Sequence, residues 1–273
     1  MDAAPLPPII YGTAWKQDAT AGLVKTAARA GYRGLDTANQ KKHYREDFLG
    51  EALAELAQGG IPRSQLFLQT KYTSQDGQDH RLPYDPAEPP AAQVRASFAS
   101  SLKNLRTDYL DSFLVHGPSS SAGLIDEDWE IWAEFERLHA SGGARLIGVS
   151  NVALHHLTEL SKAKVKPMVV QNRCYAVRGW DRAVREHCAA NGFIYQGFSL
   201  RTANPHVVEH RRVEAIARRM NATAAQVVFR FAKALGILPL TGTTDERHMQ
   251  DDLAALALEL TAAEVDDILA IPR

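Results

Sequence analysis

Leu66-Phe-Leu-Gln-Thr70 and Ser112-Phe-Leu-Val-His116 are apolar runs, and between them residues 91–105 carry a helical pattern. Each run is continuous rather than alternating in polarity, which marks a strand covered on both faces, as a parallel sheet flanked by helices requires. The same unit recurs in both directions. Upstream lie Pro8-Ile-Ile-Tyr-Gly12 and Gly34-Leu-Asp-Thr37. Downstream lie Leu146-Ile-Gly-Val-Ser150, Met168-Val-Val-Gln171, Phe193-Ile-Tyr-Gln-Gly-Phe198 and Gly236-Ile-Leu-Pro-Leu-Thr241, which makes eight candidate strands.

Helical patterns fill the gaps. Residues 21–30 align Leu23, Val24, Ala27 and Ala28 on one stripe and stop at Gly31. Thr223-Ala-Ala-Gln and Thr261-Ala-Ala-Glu have the capping-box form that opens a helix. Further helices fit 44–58, 128–140, 153–162, 180–190 and 246–256. Strands and helices alternate through 273 residues with no linker of changed composition, so the expectation is a single (β/α)8 TIM barrel domain over residues 1–273. A doubly wound open sheet is the competitor. Residues 75–90, with Gly77, Pro83, Pro86, Pro89 and Pro90, read as a long loop over one end of the barrel.

Composition narrows the function. With 45% apolar and 23% charged residues the chain has the make-up of a globular protein. Thirty-one basic against 32 acidic side chains leave a net charge of −1, so no basic footprint for nucleic acid or anionic lipid exists. No window is apolar for the 18 residues a membrane span needs. Met1-Asp-Ala-Ala-Pro-Leu lacks the basic and apolar regions of a secretory leader. The two cysteines, Cys174 and Cys188, read as core thiols in a reducing compartment, which makes the cytoplasm the expected location.

Barrel chemistry sits where strands end. Those ends carry Asp36, Lys71, His116, Ser150-Asn151, Gln171-Asn172 and Ser199. A lysine and an aspartate at that depth must pair, since an unpaired buried charge costs several kcal/mol. The lysine's charge is expected to lower the pKa of a nearby phenol, and Tyr44 supplies one from the second βα connection. With His116 holding a substrate oxygen, the set Asp36, Tyr44, Lys71 and His116 suits protonation of a carbonyl oxygen while hydride reaches its carbon. The chain contains no G-x-G, which counts against the doubly wound nucleotide fold. Phosphate has another seat in a barrel. Thr241-Gly-Thr-Thr-Asp-Glu-Arg247, after the eighth strand, offers the hydroxyls of Thr241 and Thr243, helix N–H groups and Arg247, although an ordinary capped helix start has the same form.

Gly12-Thr-Ala-Trp15, Gly31-Tyr-Arg-Gly-Leu-Asp-Thr-Ala38, Leu105-Arg-Thr-Asp-Tyr-Leu-Asp-Ser-Phe-Leu-Val-His116, Ile147-Gly-Val-Ser-Asn151 and Gln171-Asn172 together resemble the aldo-keto reductases, which are NAD(P)H-dependent (β/α)8 barrels. The resemblance spans nearly the whole chain. It implies Asp36, Tyr44, Lys71 and His116 as the catalytic four, with Ser150, Asn151 and Gln171 on the nicotinamide amide and Phe198, beside Ser199, stacked on its ring. It implies Thr241 with Arg247 at the adenosine phosphate, Thr13 at the cofactor, Trp15 at the substrate, and NADPH as cofactor with NADH as the alternative. The partner it implies is a small-molecule carbonyl compound, and the protein is expected to be a monomer or small homo-oligomer.

Three features depart from the family's pattern. The tyrosine that commonly follows the aspartate by five residues is Lys41 here, and Tyr44 comes three residues later; anchoring on Gly50 instead puts His43 in its place. Tyr44 is preferred because only a phenol fits the acid role. The family's Pro-Lys-Ser is Pro239-Leu-Thr241, which leaves Arg247 and the threonines to favour NADPH. The chain reaches Arg273 soon after its last helix, without the long tail of many relatives, so an open pocket for a bulky carbonyl compound is expected.

Other readings attach to single motifs. His206-Val-Val-Glu-His210 matches the H-x-x-E-H zinc signature, but Arg211-Arg212 directly after it points to a solvated helix. Lys71 at a strand end suits Schiff-base chemistry, which Asp36 opposes by keeping it charged. A cofactor-binding partner protein without turnover is the third reading.

Overall fold

The computed structural model describes residues 4–271, so Met1-Asp-Ala3 and Pro272-Arg273, on which the leader and chain-end expectations bear, lie outside the described residues. Eight strands, β1 Ile10–Gly12, β2 Gly34–Asp36, β3 Phe67–Tyr72, β4 Leu110–Val115, β5 Ala144–Ser150, β6 Val169–Arg173, β7 Ile194–Phe198 and β8 Leu238–Thr241, form a closed barrel in chain order. Every neighbouring pair is parallel, and β8 closes on β1 through Ile10 opposite Leu240 and Tyr11 opposite Thr241. All eight apolar runs are strands, and the barrel replaces the open-sheet alternative.

The helices are α1 Thr20–Ala30, α2 Glu46–Gln58, α3 Pro90–Leu105, α4 Asp126–Ala140, α5 Leu154–Leu160, α6 Arg182–Asn191, α7 Pro205–Val208, α8 Arg211–Arg219, α9 Ala224–Ala234, α10 Glu246–Ala254 and α11 Ala262–Leu269. Local chemistry sets their ends. α1 stops at Gly31, whose φ of 122° a side chain would resist. At α9 the Thr223 hydroxyl accepts from Gln226 N at 3.2 Å and Gln226 Oε1 accepts from Thr223 N at 2.8 Å. Two differences from expectation stand out. α2 begins at Glu46 rather than at 44, because Tyr44 is drawn out of the helix toward the barrel mouth. α8 escapes a reading centred on H-x-x-E-H, since its buried stripe is only Val213, Ile216 and Ala217. His206 lies in α7, whereas His210 caps α8 by accepting from Arg212 N at 3.2 Å. Among the described residues no group of three His, Cys, Asp or Glu side chains is placed to hold a metal ion.

Outside the barrel, Phe113 of β4 stacks on Phe135 of α4 at 4.5 Å and meets Phe98 of α3 edge-on at 5.2 Å. Cys174 and Cys188 are free and buried, and burial pushes both thiols up to about 12. Inside the barrel the fill is layered. Ile10, Phe67, Leu238 and Leu240 form an apolar cluster with Leu146 and Ile194 packed against it. Two residues beyond Phe67 and Ile194 along their strands stand Gln69 and Gln196, which bond each other, and two further stand Lys71 and Phe198.

Candidate active site

Asp36 ends β2 and Lys71 lies near the end of β3, so their side chains meet inside the barrel. Lys71 Nζ reaches Asp36 Oδ1 at 2.7 Å, Asp36 Oδ2 at 2.8 Å and the Thr37 carbonyl at 2.8 Å, which occupies all three of its N–H donors. Burial pulls the lysine down from its ordinary value and the aspartate opposes this. Thr13, expected at the cofactor, is fully buried and donates its hydroxyl to the Asp36 carbonyl at 3.0 Å, so it holds β2 instead of facing the cavity.

Beyond this pair opens a cavity of about 480 Å³, within the range of small-molecule sites. Asp36, Tyr44, His116 and Trp15 line one part of it; Ser150, Asn151, Gln171, Phe198 and Ser199 line a second; Thr241, Gly242, Thr243 and Thr244 line a third. The lengthened loop that carries Tyr44 is organised by Gln40, whose carbonyl accepts from His43 N at 3.1 Å and Tyr44 N at 2.9 Å. His43 leaves the cavity: its ring lies 3.7 Å from that of Trp15, and its Nδ1 bonds Gln40 Oε1 at 2.8 Å. Lys41 is exposed. The geometry therefore brings the phenol, not His43, to the strand ends. Tyr72 is buried elsewhere, against Tyr84 at 5.7 Å.

The Tyr44 ring stands 5.6 Å from Lys71 Nζ and 6.0 Å, edge-on, from the His116 ring. Among the described residues its hydroxyl has no hydrogen-bond partner, which leaves the O–H to the cavity. One expectation is corrected here. Instead of being lowered by Lys71, the phenol is raised above its ordinary value, by burial first and by the Asp36 charge second. The physical reason is that a phenolate would lose its hydration on burial, and the Asp36 charge, which Lys71 pairs at 2.7 Å, adds to that cost. His116 is pushed down to about 3 by burial and then by Lys71, so its ring is neutral. Its Nδ1 bonds the Thr73 hydroxyl at 2.7 Å. That hydroxyl has no other acceptor among the described residues, so the tautomer that satisfies its O–H has Nδ1 accepting and the ring proton on Nε2.

The strand-end amides are tied to one another. Ser150 Oγ donates to the Gln171 carbonyl at 2.8 Å and Asn151 Nδ2 donates to the His116 carbonyl at 2.8 Å. Asn172 faces away, bonding Val152 and Asp181. Thr241 lines the cavity with its hydroxyl given to Asp252 Oδ2 at 2.6 Å, and burial pushes that carboxyl up to about 6. Arg247 lies exposed on the first turn of α10 and does not line the cavity, whereas its neighbour His248 does.

Sequence reasoning missed two cations. Arg201 lines the cavity just after Ser199, and Lys16 is buried behind the β8 turn with Nζ on the Gly242 carbonyl at 2.5 Å, drawn down to about 8 by burial. The loop after the seventh strand was a signal for Arg201, because barrels bind phosphate there. A cation, free hydroxyls and helix N–H groups at the β7 and β8 ends, with an aromatic ring and amides deeper in, fit a dinucleotide's phosphates and ring in kind. The cavity's one acid, Asp36, is already paired.

Comparison with known proteins gives the same answer. The model of the Aldo/keto reductase family matches residues 8–200. The chain is 30% identical over 252 residues to the glyoxal reductase of Bacillus subtilis, covering 92% of this chain and 82% of that one. It is 29% identical to the NADPH-dependent codeinone reductase 1-1 of Papaver somniferum, covering 90% and 79%. In fold it is similar to an aldo-keto reductase enzyme from a Medee basin deep-sea metagenome library, with a TM-score of 0.84, 24% identity, and 98% and 92% coverage. A family match over most of the chain, on a barrel whose strand ends carry that family's motifs, means that this chain belongs to the aldo/keto reductase family.

Proposed function

We propose that this chain, as one barrel domain, reduces a small-molecule aldehyde or ketone to the alcohol with NADPH, using Tyr44 as the acid. The observation that carries the reading is the unpartnered Tyr44 hydroxyl at the cavity wall, beside neutral His116 and above the Asp36–Lys71 pair. Membership of the family and the names of the glyoxal and codeinone reductase relatives support it.

When bound, NADPH supplies a hydride to the carbonyl carbon. His116 holds the carbonyl oxygen through Nε2–H and so fixes the carbon's position. Tyr44 donates its proton to that oxygen as negative charge develops there. Its raised pKa keeps the proton in place until then, and Lys71 with Asp36 fixes the floor under the ring without carrying net charge toward it. Gln171, Ser150 and Asn151 would orient the nicotinamide amide, Phe198 and Ser199 its ring. Thr243, Thr244 and Arg201 would hold the phosphates, and Arg247 the extra phosphate of NADPH. Trp15, exposed over the mouth, would border the substrate.

The test is Tyr44→Phe. Nucleotide affinity by fluorescence titration should stay nearly unchanged, while carbonyl reduction falls at least about a hundredfold. Full turnover by the variant would remove Tyr44 from the mechanism, and nucleotide binding without turnover by the wild type on a broad carbonyl panel would favour the partner-protein reading. Schiff-base chemistry is disfavoured by the three acceptors that hold Lys71 Nζ. Among the described residues no helix is long and apolar enough to cross a membrane. The two free thiols support a cytoplasmic location, and the balanced charge supports a small-molecule partner rather than nucleic acid.

A further inference from the structure

Three glutamines, Gln69 of β3, Gln171 of β6 and Gln196 of β7, stand on the barrel interior, where apolar residues would cost less to bury. Their bonds have one consistent solution. Asp36 Oδ1 accepts from Gln69 Nε2 at 2.7 Å and Gln171 Nε2 at 3.1 Å, besides Lys71. A carboxylate only accepts, so both glutamines must turn their NH2 groups toward it. The second N–H of each goes to Gln196 Oε1, at 2.8 and 2.9 Å, and Gln196 Nε2 returns a bond to Gln69 Oε1 at 2.9 Å. Of the three amide oxygens, Gln171 Oε1 alone then lacks a partner among the described residues, and Gln171 lines the cavity.

We propose that Gln69 and Gln196 are positioning residues that lock the Gln171 amide with its oxygen toward the cavity, so that the site selects a cofactor ring bearing an N–H donor. An isolated glutamine amide can present either end, and only its partners decide which. Here Asp36 and Gln196 hold both N–H groups, so the cavity meets a fixed, uncharged acceptor. Its complement is the carboxamide NH2 of nicotinamide, and the inference rests on the cofactor reading above. The bonds also tie this selector to Asp36 beneath the acid, so the ring and the Tyr44 proton share one rigid frame.

The experiment is calorimetric titration, without carbonyl substrate, of NADP+ and of its 3-acetylpyridine analogue, in which a methyl group replaces the NH2. The wild type should bind NADP+ about tenfold more tightly, the size of one net hydrogen bond. Gln196→Leu, which leaves Asp36 alone to hold one of the two Gln171 N–H groups, and independently Gln69→Leu, which frees Gln196, should narrow that preference several-fold, with the loss falling on NADP+. A merely structural role would weaken both ligands together and leave their ratio unmoved. Circular dichroism and melting confirm that each variant is folded, and the wild-type ratio needs no variant. A preference undiminished in both folded variants overturns the positioning role. Equal binding of the two ligands by the wild type overturns the facing of Gln171 while leaving carbonyl reduction standing. Failure of the wild type to bind either ligand overturns the cofactor reading as well.

Discussion

Tyr44 keeps its proton first because burial disfavours the phenolate and second because the Asp36 charge, paired with Lys71 at 2.7 Å, opposes it. The same rule governs the buried carboxyl behind Thr241, Asp252, which has only the Thr241 hydroxyl as a bonded partner and no cation in bonding range among the described residues. Burial pushes it up to about 6. A raised carboxyl means that ionisation is harder in the folded protein, so stability is fullest below the unfolded value near 3.9 and falls as pH rises through about 6. A rise of that size corresponds to about 3 kcal/mol. Urea melts of the wild type should therefore show stability declining between about pH 4 and pH 7, and Asp252→Asn should flatten that decline; an unchanged slope would assign it to other groups. The two arginines separate by position. Arg201→Ala should weaken NADPH and NADH alike, because it removes a charge from the cavity wall, whereas Arg247→Ala should weaken NADPH far more than NADH. Both are read by nucleotide titration, and the reverse pattern would exchange their roles.

Elements differ in how much of their ending is local. α9 opens on a reciprocal cap between Thr223 and Gln226, so Thr223→Ala should cost about 1 kcal/mol in thermal or urea unfolding without changing turnover. A loss near zero would mean that packing alone holds that end. Strands and capped helices were legible in the sequence for this reason: a continuous apolar run and a capping box act within a few residues. α2 was misjudged at its start and α8 overlooked because tertiary demands outweigh such signals. Tyr44 must leave the helix to face the cavity, and the three apolar residues of α8 matter only once packed.

At the scale of the whole molecule, ligand and fold are linked through one cavity that draws on strands from every part of the barrel. A nucleotide that binds only the closed barrel stabilises it by mass action. NADPH at a hundred times its dissociation constant should add about 2.7 kcal/mol and raise the melting temperature by several degrees. No shift in a thermal scan at that saturation would contradict NADPH as the cofactor.

The sequence by itself determined the eight-stranded alternation and the strand-end positions of Asp36, Lys71, His116, Ser150 and Gln171, because strand ends follow from local apolar runs and the barrel turns every such end toward one mouth. Only the tertiary structure decided between Tyr44 and His43, moved Thr13 and Arg247 off the cavity wall, brought Arg201 onto it, and gave Gln69 and Gln196 partners. Those outcomes depend on loop paths and on bonds between residues up to 127 positions apart, such as Gln69 with Gln196. Such distances close only when β8 meets β1, and no local pattern of residues encodes which side chains then face each other.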